Sequence, residues 1–125
     1  MTTYNPKKTP DSAAWLALDE LERIDLAAAH HRRIRARLPN LQLHATIHVV
    51  VENQLAEGTK TVQDTLERLM DEGLNRHDAI HAIGSVLAGH IWSLLRDGAA
   101  EPNTNEQYYH ALRSLTAKKW MESGN

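Results

Sequence analysis

The 125-residue chain has no cysteine, which excludes disulfides, thiolate chemistry and cysteine-based zinc or iron–sulfur sites. Any metal it holds must be bound through histidine and carboxylate. It also has no phenylalanine, and aromatic residues make up 5% of the chain, so a core has to be assembled from Leu, Ile, Val and Ala with a few Trp and Tyr. That composition favours packed helices. Basic residues are not in excess. Fourteen Lys and Arg stand against sixteen Asp and Glu, a formal net charge of −2 that does not argue for phosphate-backbone binding as the main activity. No apolar run approaches the roughly 18 residues needed to span a bilayer. The N-terminus Met1-Thr2-Thr3-Tyr4-Asn5-Pro6-Lys7-Lys8 lacks the apolar region of a signal peptide, so a cytoplasmic protein off the membrane is expected. Gly-rich phosphate loops, nucleophile elbows and kinase signatures are missing as well.

What remains, with 42% hydrophobic and 24% charged residues, is the composition of one soluble globular domain. Residues 1–10, with Pro6, Pro10 and two Lys, read as a flexible or extended arm, and 11–125 as a single helical domain. Asp11 or Ser12 caps an expected long helix to about Arg37, acidic at its start and basic at its end as the helix dipole favours. A second helix is expected from Leu41 to about Glu57, with Leu43, Ile47, Val50, Val51 and Leu55 at helical spacing and Gly58 as its stop. Val49 to Val51 make a strand conceivable, but the polar groups at i, i+4 and i+8 argue for helix. Thr61-x-x-Asp64 and Asn75-x-x-Asp78 look like capping boxes for a third helix stopped by Gly73 and a fourth running to about Arg96. Residues 98–105 read as a loop, and Glu106 to about Glu122 as the last helix, with Tyr108, Leu112, Leu115 and Trp120 inward. The expected class is all-α, about five helices in a four-helix-bundle-like or irregular array.

Eight histidines are the unusual count, and their placement is more telling. His44, His48 and Glu52 follow one another at four-residue intervals, as do His77 and His81. At 100° per residue each step drifts only about 40°, so each series forms a stripe able to present two imidazoles to one point. Both stripes fall at the interior side or edge of their helices. Four imidazoles and a carboxylate on two core faces form a ligand set for a divalent metal, zinc, iron or manganese. Glu52 would be a further ligand or the general base on metal-bound water. Glu22, on an arc with Leu18, Leu21 and Ala29, is a candidate extra ligand, with Asp25 beside it. The bland reading is that His44 and His77 are satisfied core histidines while His48, His81 and Glu52 lie on a wet rim. His30, His31 and His110 read as surface residues, and His90 falls off its helix's apolar arc. The two stripes echo each other weakly at an offset of 33 residues.

The segments Leu43 to Gln54 and Arg68 to His81, with Trp15 to Glu20 upstream, resemble a family of small uncharacterised bacterial proteins in which H-x3-H-x3-E-x-Q and H-x3-H patterns recur. The resemblance covers roughly residues 15 to 95 and marks His44, His48, Glu52, Gln54, His77 and His81. It implies a bacterial cytosolic helical protein and carries no reaction.

Three functions compete at this level. The first is a metal-binding helical protein of unknown reaction. The second is a non-enzymatic protein-interaction module whose polar interior stripe only sets helix register. The third is an RNA- or phosphate-binding adaptor using Arg32, Arg33, Arg35 and Arg37, although four arginines at a helix end are more often simply solvated. A homo-oligomer is left open.

Overall fold

A computed structural model describes residues 3–33, 41–97 and 104–122. Among them are seven helices and no strand, so the all-α class holds and the count of about five does not. None of these helices is long and apolar enough to cross a membrane. Contacts group the chain into two compact units, Met1–Thr59 and Lys60–Asn125.

In the first unit the single long helix expected from residue 11 is two. α1 spans Ser12–Ala17 and α2 Glu20–Arg33. Asp11 caps α1, its Oδ2 accepting the Ala14 amide at 2.9 Å. The chain then turns extended at Leu18, with φ −76° and ψ 150°. A second capping box restarts it. Asp19 Oδ1 accepts the Glu22 amide at 2.8 Å, and Glu22 Oε1 accepts the Asp19 amide at 3.3 Å. Arg23 gathers the carbonyls left at the end of α1, donating to Trp15, Leu16 and Leu18 oxygens at 2.8 to 3.1 Å. The expected end of the helix near Arg37, with Arg35 and Pro39-Asn40, lies outside the described residues, as do the side chains of Arg32 and Arg33.

α3 spans Leu41–Ala56 and packs on α2 and α1. Its inward face is Ala45 and Val49, which meet Tyr4, Trp15, Ala27 and Ala28 in one buried cluster. Three alanines let the helix backbones approach closely around the Trp15 ring. The expected face is kept in part, with Val51 buried and Ile47, Val50 and Leu55 half-buried, but Leu43 is 57% exposed. The stop is as expected. Gly58 has φ 79°, the Gly58 amide donates to the Leu55 carbonyl at 3.1 Å and the Thr59 amide to the Gln54 carbonyl at 2.9 Å. This is a Schellman closure at a left-handed residue.

The second unit holds α4 (Lys60–Asp71), α5 (Arg76–Asp97), α6 (Thr104–Ser114) and α7 (Ala117–Glu122). α4, α5 and α6 pack on one another and α7 packs on α5. Their buried side chains include Val62, Leu69, Ile80, Ile83 and Leu87, together with Tyr108, Leu112 and Trp120 of the set expected inward in the last helix, whose Leu115 is half-buried. Asn75 caps α5 as expected, accepting the Asp78 amide at 2.8 Å. Thr61 does not cap α4. It lies inside that helix, where its carbonyl accepts the Thr65 hydroxyl at 2.7 Å. The last helix is also divided, because Thr116 Oγ1 accepts the Lys119 amide at 3.1 Å and starts α7 afresh.

Glu72, just past α4, ties that helix to α7. Its Oε1 accepts the Ala117 amide at 2.8 Å and its Oε2 meets Arg68 at 2.9 Å. These contacts, the Ala117 amide first and then Arg68, hold its carboxyl below the ordinary value of 4.5. A carboxylate depressed on folding adds stability that is present above its unfolded pKa and is lost as pH falls through the folded one. The Ala117 amide proton is therefore expected to titrate in NMR spectra with an apparent pKa below 4.5, and Glu72→Gln should abolish that titration. An Ala117 amide insensitive to pH between about 5 and 2 would rule the tie out.

Candidate metal centre

Each stripe is held within its own unit. On α3 the His44 and His48 rings are 5.0 Å apart at 45°, as side chains one turn apart on the same face should be. His44 is half-buried, whereas His48 and Glu52 are each only 2% exposed. A buried imidazole and a buried carboxylate need polar partners, and Tyr4 serves both. Tyr4 Oη donates to Glu52 Oε2 at 2.6 Å and lies 3.2 Å from His48 Nδ1.

Tyr4 comes from the stretch that the sequence reads as an arm, yet it is 1% exposed. It is the residue that sequence reasoning missed. The available signal was a single aromatic in an otherwise polar segment beside Pro6, which is itself buried. Its ring lies 5.5 Å from Trp15 and makes edge contacts with His30 and His48, both at 6.1 Å between centroids. His30 was expected at the surface and is instead 9% exposed, turned inward against Tyr4. A basic flank in sequence says little about which way one helical residue faces.

Asn53, next to Glu52, secures the other side of α3. Its Oδ1 accepts from Trp15 Nε1 at 2.9 Å and from Arg23 at 3.0 Å. The residue after Glu52 is thus tied to Trp15 of α1 and Arg23 of α2, which restrains the rotation of α3 about its axis. Glu22 takes no part. It is exposed and engaged in the capping box with Asp19, and Asp25 is exposed as well, so neither faces the core as the wheel suggested.

On α5, His77 and His81 are both half-buried, with rings 4.4 Å apart and nearly perpendicular. Their Nε2 atoms stand 3.1 Å apart. Two nitrogens on one tetrahedral zinc, at about 2.05 Å from it, are separated by about 3.3 Å, so this pair already has the spacing of two ligands of one ion. The same distance also suits one N–H donating to the other ring. His110 is exposed as expected, and His90 stacks on Tyr108 at 5.7 Å. The side chain of His31 lies outside the described residues.

No protein-family model, no curated protein and no solved structure matches this chain. The functional reading therefore rests on its own residues.

Proposed function

We propose that this is a metal-binding protein whose divalent ion is held by the α3 histidines, His44 and His48. The observation that carries the reading is this pair of imidazoles one helical turn apart, with ring centroids 5.0 Å apart, each able to offer one ring nitrogen to a single ion. Imidazole ligands favour zinc or iron over manganese, and two of them leave positions open for water or a substrate oxygen. That pattern is the one associated with chemistry at the metal, as opposed to a closed structural site. In this reading Glu52 stands behind His48 through Tyr4, and His77 lies beside His81 as its partner at 3.1 Å. The polypeptide's contribution is to orient the imidazoles.

Elemental analysis of protein purified without a histidine tag tests this. About one zinc or iron per chain is expected, with His44→Ala and His48→Ala each lowering the affinity on the order of 100-fold. Protein that retains no metal after incubation with zinc and dialysis would overturn the reading.

A second reading, the interaction module with a register-setting polar stripe, has its own support. Tyr4 bonds His48 Nδ1 and one Glu52 oxygen without any ion. Trp92 and Leu95 on α5 are 65% and 76% exposed, as residues of a contact surface would be. Metal content separates the two readings.

A further inference from the structure

We infer that Tyr4 is a positioning residue for the metal centre: its hydroxyl links the Glu52 carboxylate to His48 Nδ1 and holds that imidazole in the Nδ1–H tautomer, which leaves Nε2 as the coordinating atom. The coordination half of this inference rests on the metal reading above. The tautomer half does not.

The available protons decide the tautomer. A carboxylate only accepts, and a tyrosine hydroxyl has one hydrogen to give. The 2.6 Å separation between Tyr4 Oη and Glu52 Oε2 is that of a charge-assisted O–H···O⁻ bond, so the hydroxyl hydrogen points at Glu52. What Tyr4 Oη presents to His48 is then a lone pair. The 3.2 Å contact to Nδ1 is a hydrogen bond only if Nδ1 carries the proton. A neutral imidazole protonated at Nδ1 has its lone pair at Nε2, the electron pair that a divalent metal needs. Histidine ligands in metal sites are commonly held this way, with the second nitrogen donating toward a carboxylate or another acceptor that sets ring orientation and basicity. Here the carboxylate acts one group removed. Tyr4 is the intermediary, and Trp15 and His30 pack around its ring to hold it in place.

The arrangement also gives the four-residue spacing of this stripe a division of labour. His44 and His48 occupy consecutive turns with their rings in contact, and Glu52 on the third turn reaches Tyr4 in place of the ion. The N-terminal segment becomes part of the site, since residue 4 contacts residues 44 and 48 positions further along the chain.

Long-range proton–nitrogen NMR spectra of the metal-free protein report the tautomer directly, and zinc titration reports the consequence. In the wild type, His48 should show protonated Nδ1 and unprotonated Nε2. In Tyr4→Phe the Nε2–H form should appear, and zinc affinity should fall about 10- to 100-fold with helix content retained. Glu52→Gln serves as a second variant should Tyr4→Phe fold poorly, and it should weaken zinc over the same range. A wild-type His48 protonated at Nε2 overturns the inference whatever the metal result. An Nδ1–H tautomer unchanged in Tyr4→Phe, with equal zinc affinity, overturns the positioning role alone. The expected tautomers with no zinc bound by any variant overturn the metal reading, and the positioning role with it, leaving only a structural hydrogen bond.

Discussion

Stripping the metal from loaded protein is expected to lower its melting temperature by about 10 °C. An ion that binds only the folded chain stabilises it by RT ln(1 + [L]/Kd), about 2.7 kcal/mol at a hundredfold excess over Kd. For a chain of this size each kcal/mol corresponds to roughly 4 °C. The comparison is between zinc-loaded protein, the same protein after EDTA and dialysis, and His44→Ala treated identically. Wild type should lose the increment on chelation and regain it when zinc is restored, while His44→Ala should melt at one temperature throughout. A melt unaffected by EDTA, in protein shown to have carried its ion, would mean that the ion contributes nothing to the fold.

Arg23→Met is expected to cost about 2 to 4 kcal/mol. The guanidinium is 11% exposed and spends its donors on five acceptors. Nε serves the Trp15 carbonyl, one amino group the Leu16 and Leu18 carbonyls, and the other Asn53 and Glu20. Such a group has five N–H hydrogens, so the count is complete. The surface pairing with Glu20 contributes little, its carboxylate being 55% exposed. The stabilisation comes from the carbonyls at the end of α1, which lose intrahelical partners where the helix stops. Methionine keeps the aliphatic stem and removes only the donors. Lysine should not rescue, because one ammonium presents its donors from a single point. Urea unfolding followed by exchange of the Trp15 indole proton checks this, since that proton is held by Asn53, which Arg23 also holds. A change under about 0.5 kcal/mol would show that water replaces the guanidinium at these carbonyls.

The helix class, most stops and the two histidine stripes were legible in the sequence because each depends on residues within about one turn. Gly58 and Gly73 terminate α3 and α4 with φ of 79° and 113°, and Asn75 caps α5, as their residue types dictate. His44, His48 and Glu52 share a face wherever α3 goes, because a four-residue repeat nearly closes on the helical period. The interruptions were less legible. Asp19-x-x-Glu22 and Thr116 are start signals set inside stretches that also read as continuous helix, and local propensity does not say which will win. In the first case the tertiary structure decided it, because the break after α1 becomes stable once Arg23 receives its carbonyls and Trp15 reaches Asn53 on α3.

By itself, then, the sequence determined an all-helical chain without thiol chemistry, with imidazoles aligned in two stripes. Only the tertiary structure decided which face of α3 is inside, putting Ala45 and Val49 against Trp15 and leaving Leu43 out, and only it brought Tyr4 between His48 and Glu52. The reason is that a helical wheel ranks faces by hydrophobicity, whereas burial depends on what shape lies opposite. Alanines beside a tryptophan pack more closely than leucines would. A polar pair of histidine and glutamate can go inside with a distant hydroxyl bonded to both, and a hydrogen bond spanning more than forty residues leaves no periodic trace in the chain.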